Sequence, residues 1–343
     1  MFAKLFQKLY HKIFVNIVVY GHHSTVYIEH INSKGKVVSS KEEEFNTSTL
    51  NKELKKFIQT SIVESPYYYI SILDKSPLQG ALPTANKKEY PRYKDLSAYE
   101  VVTIDNSWST YSEKGEIYRI EKDYESLKLD YIFSPFILLH KFFQDKLDLP
   151  IAMFILVEKG FISLSIYNSG KLLFSEHLDL EASEDNNELL IYEEEDEDID
   201  LGDGIDLDDI DAIDDMDEID LFDDFGDIED LDSIDDIDEF SESKDIEEDL
   251  LEEELEEEVV HNEADGFNED YQRFLLIQTA LNKFYKNDLY ESEFIENVYV
   301  ADGTGVSPDL KRFLEEEMFL SVYVRKIDLA LSLCEVAKEE FGV

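Results

Sequence analysis

Two stretches of the chain carry the same pattern of apolar and polar positions. In Ile151–Leu180, IAMFILVEKGFISLSIYNSGKLLFSEHLDL, a continuous apolar run at Ala152–Val157 is broken by Lys159-Gly160. Phe161–Tyr167 then alternates, with Ile162, Leu164 and Ile166 on one side. Asn168-Ser169-Gly170 is a turn signal, and Leu172–Leu180 completes a three-stranded meander. An unbroken apolar run predicts a strand buried on both faces, and alternation predicts a strand with one face buried. The second stretch is Val15–Phe45, VNIVVYGHHSTVYIEHINSKGKVVSSKEEEF. There Val15–Tyr20 meets Gly21, Thr25–Ile31 alternates, and Asn32-Ser33-Lys34-Gly35 turns the chain into a third strand. Two such meanders, each opening one half of the chain, point to an internal duplication.

The pattern between them is mixed. Ser48–Ile62 reads as a helix with Leu50, Leu54, Phe57 and Ile58 on one face, and Tyr67–Leu73 as a strand. Pro77 to Pro91 reads as loop. Tyr99–Asp105 and Glu116–Glu121 read as strands around a Ser109–Gly115 turn, and Leu129–Phe133 as another strand. Pro135 suits the first turn of a helix running to about Lys146. Towards the end, Asp270–Lys286 is a helix with Phe274, Ile277, Leu281 and Phe284 inward, and Asn297–Ala301 a strand. After the tight turn Asp302-Gly303-Thr304-Gly305, Ser307 caps a helix whose first residue is Pro308. Phe319–Arg325 is a last strand and Asp328–Phe341 a closing helix, with Cys334 among apolar neighbours as a core thiol.

Two segments depart from this pattern. Residues 1–14, MFAKLFQKLYHKIF, predict an amphipathic helix. Phe2, Leu5, Phe6, Leu9 and Ile13 share one face, and Lys4, Lys8 and Lys12 line the other. Such a helix either lies on an anionic membrane surface or packs on its own domain. The second segment is residues 184–263. From Leu207 to Phe240 its apolar residues fall at every third position, a period of neither strand nor α-helix. This segment holds 42 of the 81 acidic residues and one of the 31 basic ones, Lys244. Such charge predicts a disordered insertion, either a solvated spacer or an acidic-hydrophobic arm that folds on a basic protein. The expected organisation is therefore residues 1–14, a first half 15–150, a second half begun at 151–183, the insertion 184–263, and the remainder 264–343.

The formal charge of −50 belongs mostly to that insertion. The acidic balance disfavours a nucleic-acid partner, which needs a basic footprint. A single cysteine excludes a disulfide within the chain and fits a reducing, cytoplasmic setting. No apolar run approaches the roughly 20 residues of a transmembrane helix. Neighbouring side chains on a hairpin diverge, so the His22-His23 pair is not read as a metal site.

Taken in order, VNIVVYGHHSTVYIEHI, YYYISILDKSPLQGALP, DYIFSPFILLHKFF, FILVEKGFISLSIYNSGKLLFSEHLDL and VYVADGTGVSPDLKRFLEEEM resemble the actin-like ATPase superfamily. Within it they resemble the PilM proteins of type IV pilus assembly and the PilM-like accessory proteins of flagellar motors. The resemblance implies an α/β fold, a duplicated ribonuclease H-like (actin-like) fold interrupted by the acidic insertion. In that superfamily two hairpin loops hold ATP phosphates with Mg²⁺, and a Gly-rich turn holds the adenosine. The corresponding residues here are Gly21, Ser24 and Thr25, then Glu158 and Gly160, then Gly303 and Gly305. Val19 stands where the first carboxylate is expected, and Phe161 is bulky where phosphates would sit. Asp302 adds negative charge beside a nucleotide. The expectation is a non-catalytic scaffold, without a cofactor, that forms a ring under the inner membrane. It would bind the cytoplasmic tail of a single-pass PilN-like protein. The alternatives are an active ATPase or small-molecule kinase of the same superfamily, and an acidic chaperone working through residues 184–263.

Overall fold

The apolar runs lie at the centre of two five-stranded sheets, with opposite faces in different cores. The computed structural model describes residues 10–180, 269–304 and 308–342, all within one unit comprising residues 1–187 and 260–343. Strand β1 (Lys12–Tyr20) lies between β2 (His23–Ile31) and β4 (Tyr68–Leu73), and β3 (Val37–Phe45) extends the meander. Alternate side chains of a strand point to opposite faces. Ile13, Val15 and Ile17 therefore pack on helix α1 (Lys52–Ile62) through Leu54 and Ile58. Phe14 and Val18 face a central core shared with the second half. This double burial is why the sequence reads as unbroken apolar residues.

The second half repeats the plan. In β9 (Ala152–Val157), Met153, Ile155 and Val157 meet α4 (269–286) through Ile277, Leu281 and Phe284. Ala152, Phe154 and Leu156 enter the central core. With β8 (Tyr131–Phe133), β10 (Phe161–Asn168), β11 (Lys171–Asp179), β12 (Asn297–Asp302) and β13 (Ser321–Lys326), the two sheets have matching orders: β3-β2-β1-β4-β8 and β11-β10-β9-β12-β13. In each, the meander is antiparallel and the last two strands are parallel to the first. This is the duplicated ribonuclease H-like arrangement of the actin-like fold. Helices α3 (Pro135–Phe142) and α6 (Leu329–Phe341) fill the central core between the sheets. A buried ion pair joins the halves there, Lys338 Nζ donating to Glu29 Oε1 at 2.9 Å. Burial alone would lower the Lys338 ammonium; its hydrogen bonds to Glu335 and Glu29 outweigh this and hold it above the usual lysine range.

Symmetry is broken between β4 and β8. Here the first half inserts a small antiparallel sheet of β5 (Gln79–Leu82), β7 (Trp108–Glu113) and β6 (Tyr99–Ile104), in the order β5-β7-β6, followed by α2 (Lys114–Asp123). Among the described residues the second half has α5 (Pro308–Glu316) alone between β12 and β13.

Three sequence expectations need correction here. The Ser109–Gly115 stretch is mostly strand β7, whose Ser, Thr and Tyr suit a half-buried sheet as well as a turn. Glu116–Glu121 belongs to α2, because Ile117, Ile120 and Tyr124 follow a helical spacing of three and four. The Pro77–Pro91 loop contains β5, which is buried throughout.

The helix expected over residues 1–14 does not reach its end. Lys12, Ile13 and Phe14 begin β1 and are buried, Ile13 completely. Lys12 and Ile13 therefore cannot contact a membrane, since pairing with β2 and β4 overrides their helical spacing. Phe2, Lys4, Leu5, Phe6, Lys8 and Leu9, like the acidic insertion 184–263, lie outside the described residues. Among the described residues no helix is long and apolar enough to cross a membrane.

Candidate functional site

The two hairpins singled out in the sequence come from equivalent positions in the two sheets. In the first, Tyr20 and His23 are the last pair of β1 and β2, and Gly21 makes the turn at φ +51°. His22 and His23 are exposed. Ser24 and Thr25 are buried, and the Ser24 hydroxyl donates to the Thr47 carbonyl at 2.5 Å. The hydroxyl expected to meet phosphate is thus engaged within its own half.

In the second hairpin, Lys159-Gly160 turns β9 into β10, and the Glu158 amide donates to the Phe161 carbonyl at 3.0 Å. Glu158 is 1% exposed. Its Oε2 accepts a long hydrogen bond from the Lys159 amide at 3.3 Å, while the buried Oε1 has no hydrogen-bond partner. That carboxyl lies against Gly303 at the end of β12. A Cβ at Gly303 would fall 2.0 Å from Glu158 Oε1 and 3.3 Å from the Val157 carbonyl, so any larger residue there must displace the Glu158 carboxyl. Asp302 accepts from the Thr304 amide at 2.9 Å, and Gly303 donates to the Val157 carbonyl at 3.0 Å. Gly305 lies outside the described residues. Burial pushes the Glu158 carboxyl above the usual range, and Asp302 adds to this against the pull of Lys75 and Lys159.

Lys75, just after β4, connects the hairpins. Its ammonium lies 4.2 Å from the centre of the Tyr20 ring and 5.5 Å from that of Phe161. A cation between two aromatic faces is attracted to both. Burial first, and then the charges of Glu158 and Asp328, hold the Tyr20 phenol well above its usual range. Behind Phe161, the ring of His177 lies tilted with its centre 5.0 Å away; its Nδ1 shares a hydrogen bond with Ser163 at 2.9 Å, and its buried Nε2 has no partner. Burial lowers His177 to about 4. Among the described residues no group of three His, Cys, Asp or Glu side chains converges as a metal site would require.

A second feature escaped sequence reading. The small sheet stands away from β8, α3 and α6 and leaves a groove of about 570 Å³. Its aliphatic lining includes Val102, Ile104, Ile117, Ile132 and Ile137. Asp74, Glu100, Asp105, Asp130, Glu339 and Glu340 also line it, against one lysine, Lys141. Asp74 is buried at one wall, where Ser112 Oγ donates to it at 2.7 Å and the Ser76 amide at 2.9 Å. Gln79 Nε2 donates to the Asp74 carbonyl at 3.1 Å, and Ser134 Oγ donates to Gln79 Oε1 at 3.0 Å, tying β5, β7 and α3 into a rigid wall. His140 shares a hydrogen bond with Tyr167 at 3.0 Å and lies beside Trp108. The sequence signal that could have revealed this wall was the alternation Trp108, Thr110, Ser112.

A family described as a domain of unknown function (DUF8341) matches residues 153–342, and another (DUF8569) matches residues 10–140. No curated protein matches the chain. Among solved structures, it is similar to a protein with an actin-like ATPase fold and unknown function from Bacteroides thetaiotaomicron. That match has 12% identity, covers 96% of this chain and 97% of that one, and has a TM-score of 0.45. It is similar to a PilM-PilN type IV pilus biogenesis complex at 12% identity, with 94% of each chain covered and a TM-score of 0.44. The ethanolamine utilization protein EutJ from Carboxydothermus hydrogenoformans is 10% identical over 95% of this chain and 89% of that one, with a TM-score of 0.41. The fold itself rests on the strand order described above.

Proposed function

We propose that this chain, which belongs to the family described as a domain of unknown function (DUF8341), is a non-catalytic scaffold that docks the extended tail of a membrane protein. The observation that carries this reading is the groove beside the small sheet, with its rigid wall and aliphatic lining. An extended segment fits such a site because its alternate side chains reach one surface while its backbone meets the neighbouring strand. By the sequence resemblance, the partner is a PilN-like single-pass protein of a pilus-type or flagellar-motor assembly. The scaffold is then a ring at the cytoplasmic face of the inner membrane. Lys4 and Lys8 assist there, at about 1 kcal/mol for each lysine near an anionic surface.

Three contacts support a reading without a Mg²⁺-nucleotide at the hairpins. Ser24 is turned to Thr47, Glu158 is pressed against Gly303, and Lys75 joins the hairpins through Tyr20 and Phe161. Hydrolysis of ATP is not part of the proposed function. The alternative of an active ATPase or kinase draws on one observation, the paired carboxylates Glu158 and Asp302. Magnesium-dependent turnover that disappears in Glu158→Ala would establish it.

The docking role is tested by a photo-crosslinking amino acid placed at Val102 in cells. Capture of a single-pass inner-membrane protein is expected. Capture of none, with the same substitution at an exposed site outside the groove giving the same pattern, overturns the reading.

A further inference from the structure

We infer that the groove selects a basic extended segment, with lysine or arginine alternating with aliphatic residues. This rests on the docking role proposed above and adds the chemistry of the occupant. The lining divides by residue type. Val102, which is 58% exposed, Ile104, Ile117, Ile132 and Ile137 offer apolar surface, while Glu100, Asp105, Asp130, Glu339 and Glu340 stand around them. Among the described residues the ion pairs engage Glu339 with Lys141, and include none for Glu100, Asp105 or Glu340. The positive side of the groove is therefore a single lysine already beside a carboxylate. Burial lowers His140 below the usual histidine range, which disfavours a positive charge there.

The backbone supplies the second half of the argument. β8 is the last strand of its sheet, and among the described residues Tyr131–Phe133 pair only with β4. A segment laid along its other edge gains main-chain hydrogen bonds. Its side chains then alternate between two directions. On the facing sheet, Glu100, Val102 and Ile104 of β6 line the groove at alternate positions, with Thr103 between the last two. An aliphatic residue facing Val102 and Ile104 places its neighbours toward opposite sides, and the carboxylates at the rim favour cations there. An acidic segment meets repulsion at every rim position.

The probes are three fluorescent peptides of about 12 residues, alternating valine with lysine, serine or glutamate, and titrated into the full chain at about 0.15 M salt. The lysine peptide is expected to bind about tenfold tighter than the serine peptide, and the glutamate peptide more weakly than either. Combining Glu100→Gln, Asp105→Asn and Glu340→Gln should remove the tenfold preference and leave serine-peptide binding intact. A preference that survives this variant belongs to the acidic residues 184–263 and overturns the inference. The groove is closed separately by Val102→Cys alkylated with a bulky maleimide, a reaction that spares the fully buried Cys334. If all three peptides bind alike and all are lost on alkylation, the docking role stands and charge selection fails. If alkylation changes nothing, the docking role itself fails. Binding that appears only after removal of residues 1–9, or that is displaced by added unlabelled protein, assigns the groove to the chain itself and overturns a separate partner.

Discussion

The hairpin cleft and the groove both collect carboxylates beside apolar side chains, but they treat the charge differently. At the hairpins Glu158 is 1% exposed and Asp302 4% exposed, and both are packed against the turns of the second sheet. At the groove, Glu100 and Asp105 are exposed over an aliphatic floor. A buried charge must be matched by its own protein or it destabilises the fold. An exposed charge costs the fold little and remains available to a ligand. The cleft should therefore respond to substitution through stability, and the groove through binding.

The largest effect is expected at the buried ion pair that joins the two halves. Lys338→Ala strands Glu29 in the central core and should cost about 3 kcal/mol, read as a shift of the urea midpoint. A loss below about 1 kcal/mol would mean that Tyr27, which donates to Glu29 at 3.1 Å, satisfies the carboxylate unaided.

His177, behind the cleft, gives a pH dependence of similar size. Its folded value is about 4, against about 6.5 in an unfolded chain. The folded state disfavours the proton, so the contribution is complete above pH 6.5 and is lost as pH falls towards 4. The slope is about 1.4 kcal/mol per pH unit and the total about 3 kcal/mol. Stability of His177→Asn should lack this slope, so the difference between the two proteins should narrow with acid. A constant difference would mean that His177 is solvated.

Gly303→Ala should cost about 2 kcal/mol, because Glu158 must leave a packed position to admit the methyl group. Pairing it with Glu158→Ala should recover part of that loss; failure to recover any would place the strain at the Val157 carbonyl instead. The smallest effects belong to the rim. Glu100→Gln and Glu340→Gln should change stability by less than about 0.5 kcal/mol while weakening the basic peptide. A rim substitution that destabilises the protein as much as Gly303→Ala would erase the contrast between the two regions.

The duplicated sheets were legible because β1 and β9 are buried on both faces and write that burial as apolar runs. The strands of the small sheet were harder to read. WSTYSE in β7 has hydroxyls that bond inward, Ser109 with Tyr90 at 3.0 Å and Ser112 with Asp74 at 2.7 Å. A hydroxyl so engaged looks like a turn residue in sequence. The hairpin glycines were found, but not the role of Lys75, since nothing local to YYYISILDKSP indicates which rings its ammonium will meet. For residues 1–14, Phe2, Leu5 and Leu9 lie outside the described residues, and pairing partners far along the chain decided Lys12–Phe14. The groove was invisible for the same reason: its walls come from segments more than 200 residues apart, Val102 and Glu339 among them.

The parallel pairing at the centre of each sheet also sets an order in time. Ile13 pairs with Tyr68, 55 residues on, whereas Ala152 pairs with Asn297, 145 residues on. Closing the longer loop costs about 1 kcal/mol more in chain entropy. Long-range pairing also slows folding. During synthesis the first sheet has all its strands while β12 and β13 are still to be made. The early meander β9–β11 must then wait, with the edge of β9 that will receive β12 open to other strands. Pulse-labelled hydrogen exchange during refolding should protect Ile70 and Ile72 of β4 before Val298 and Val300 of β12. The acidic residues made in that interval would repel neighbouring copies of the same unfinished chain.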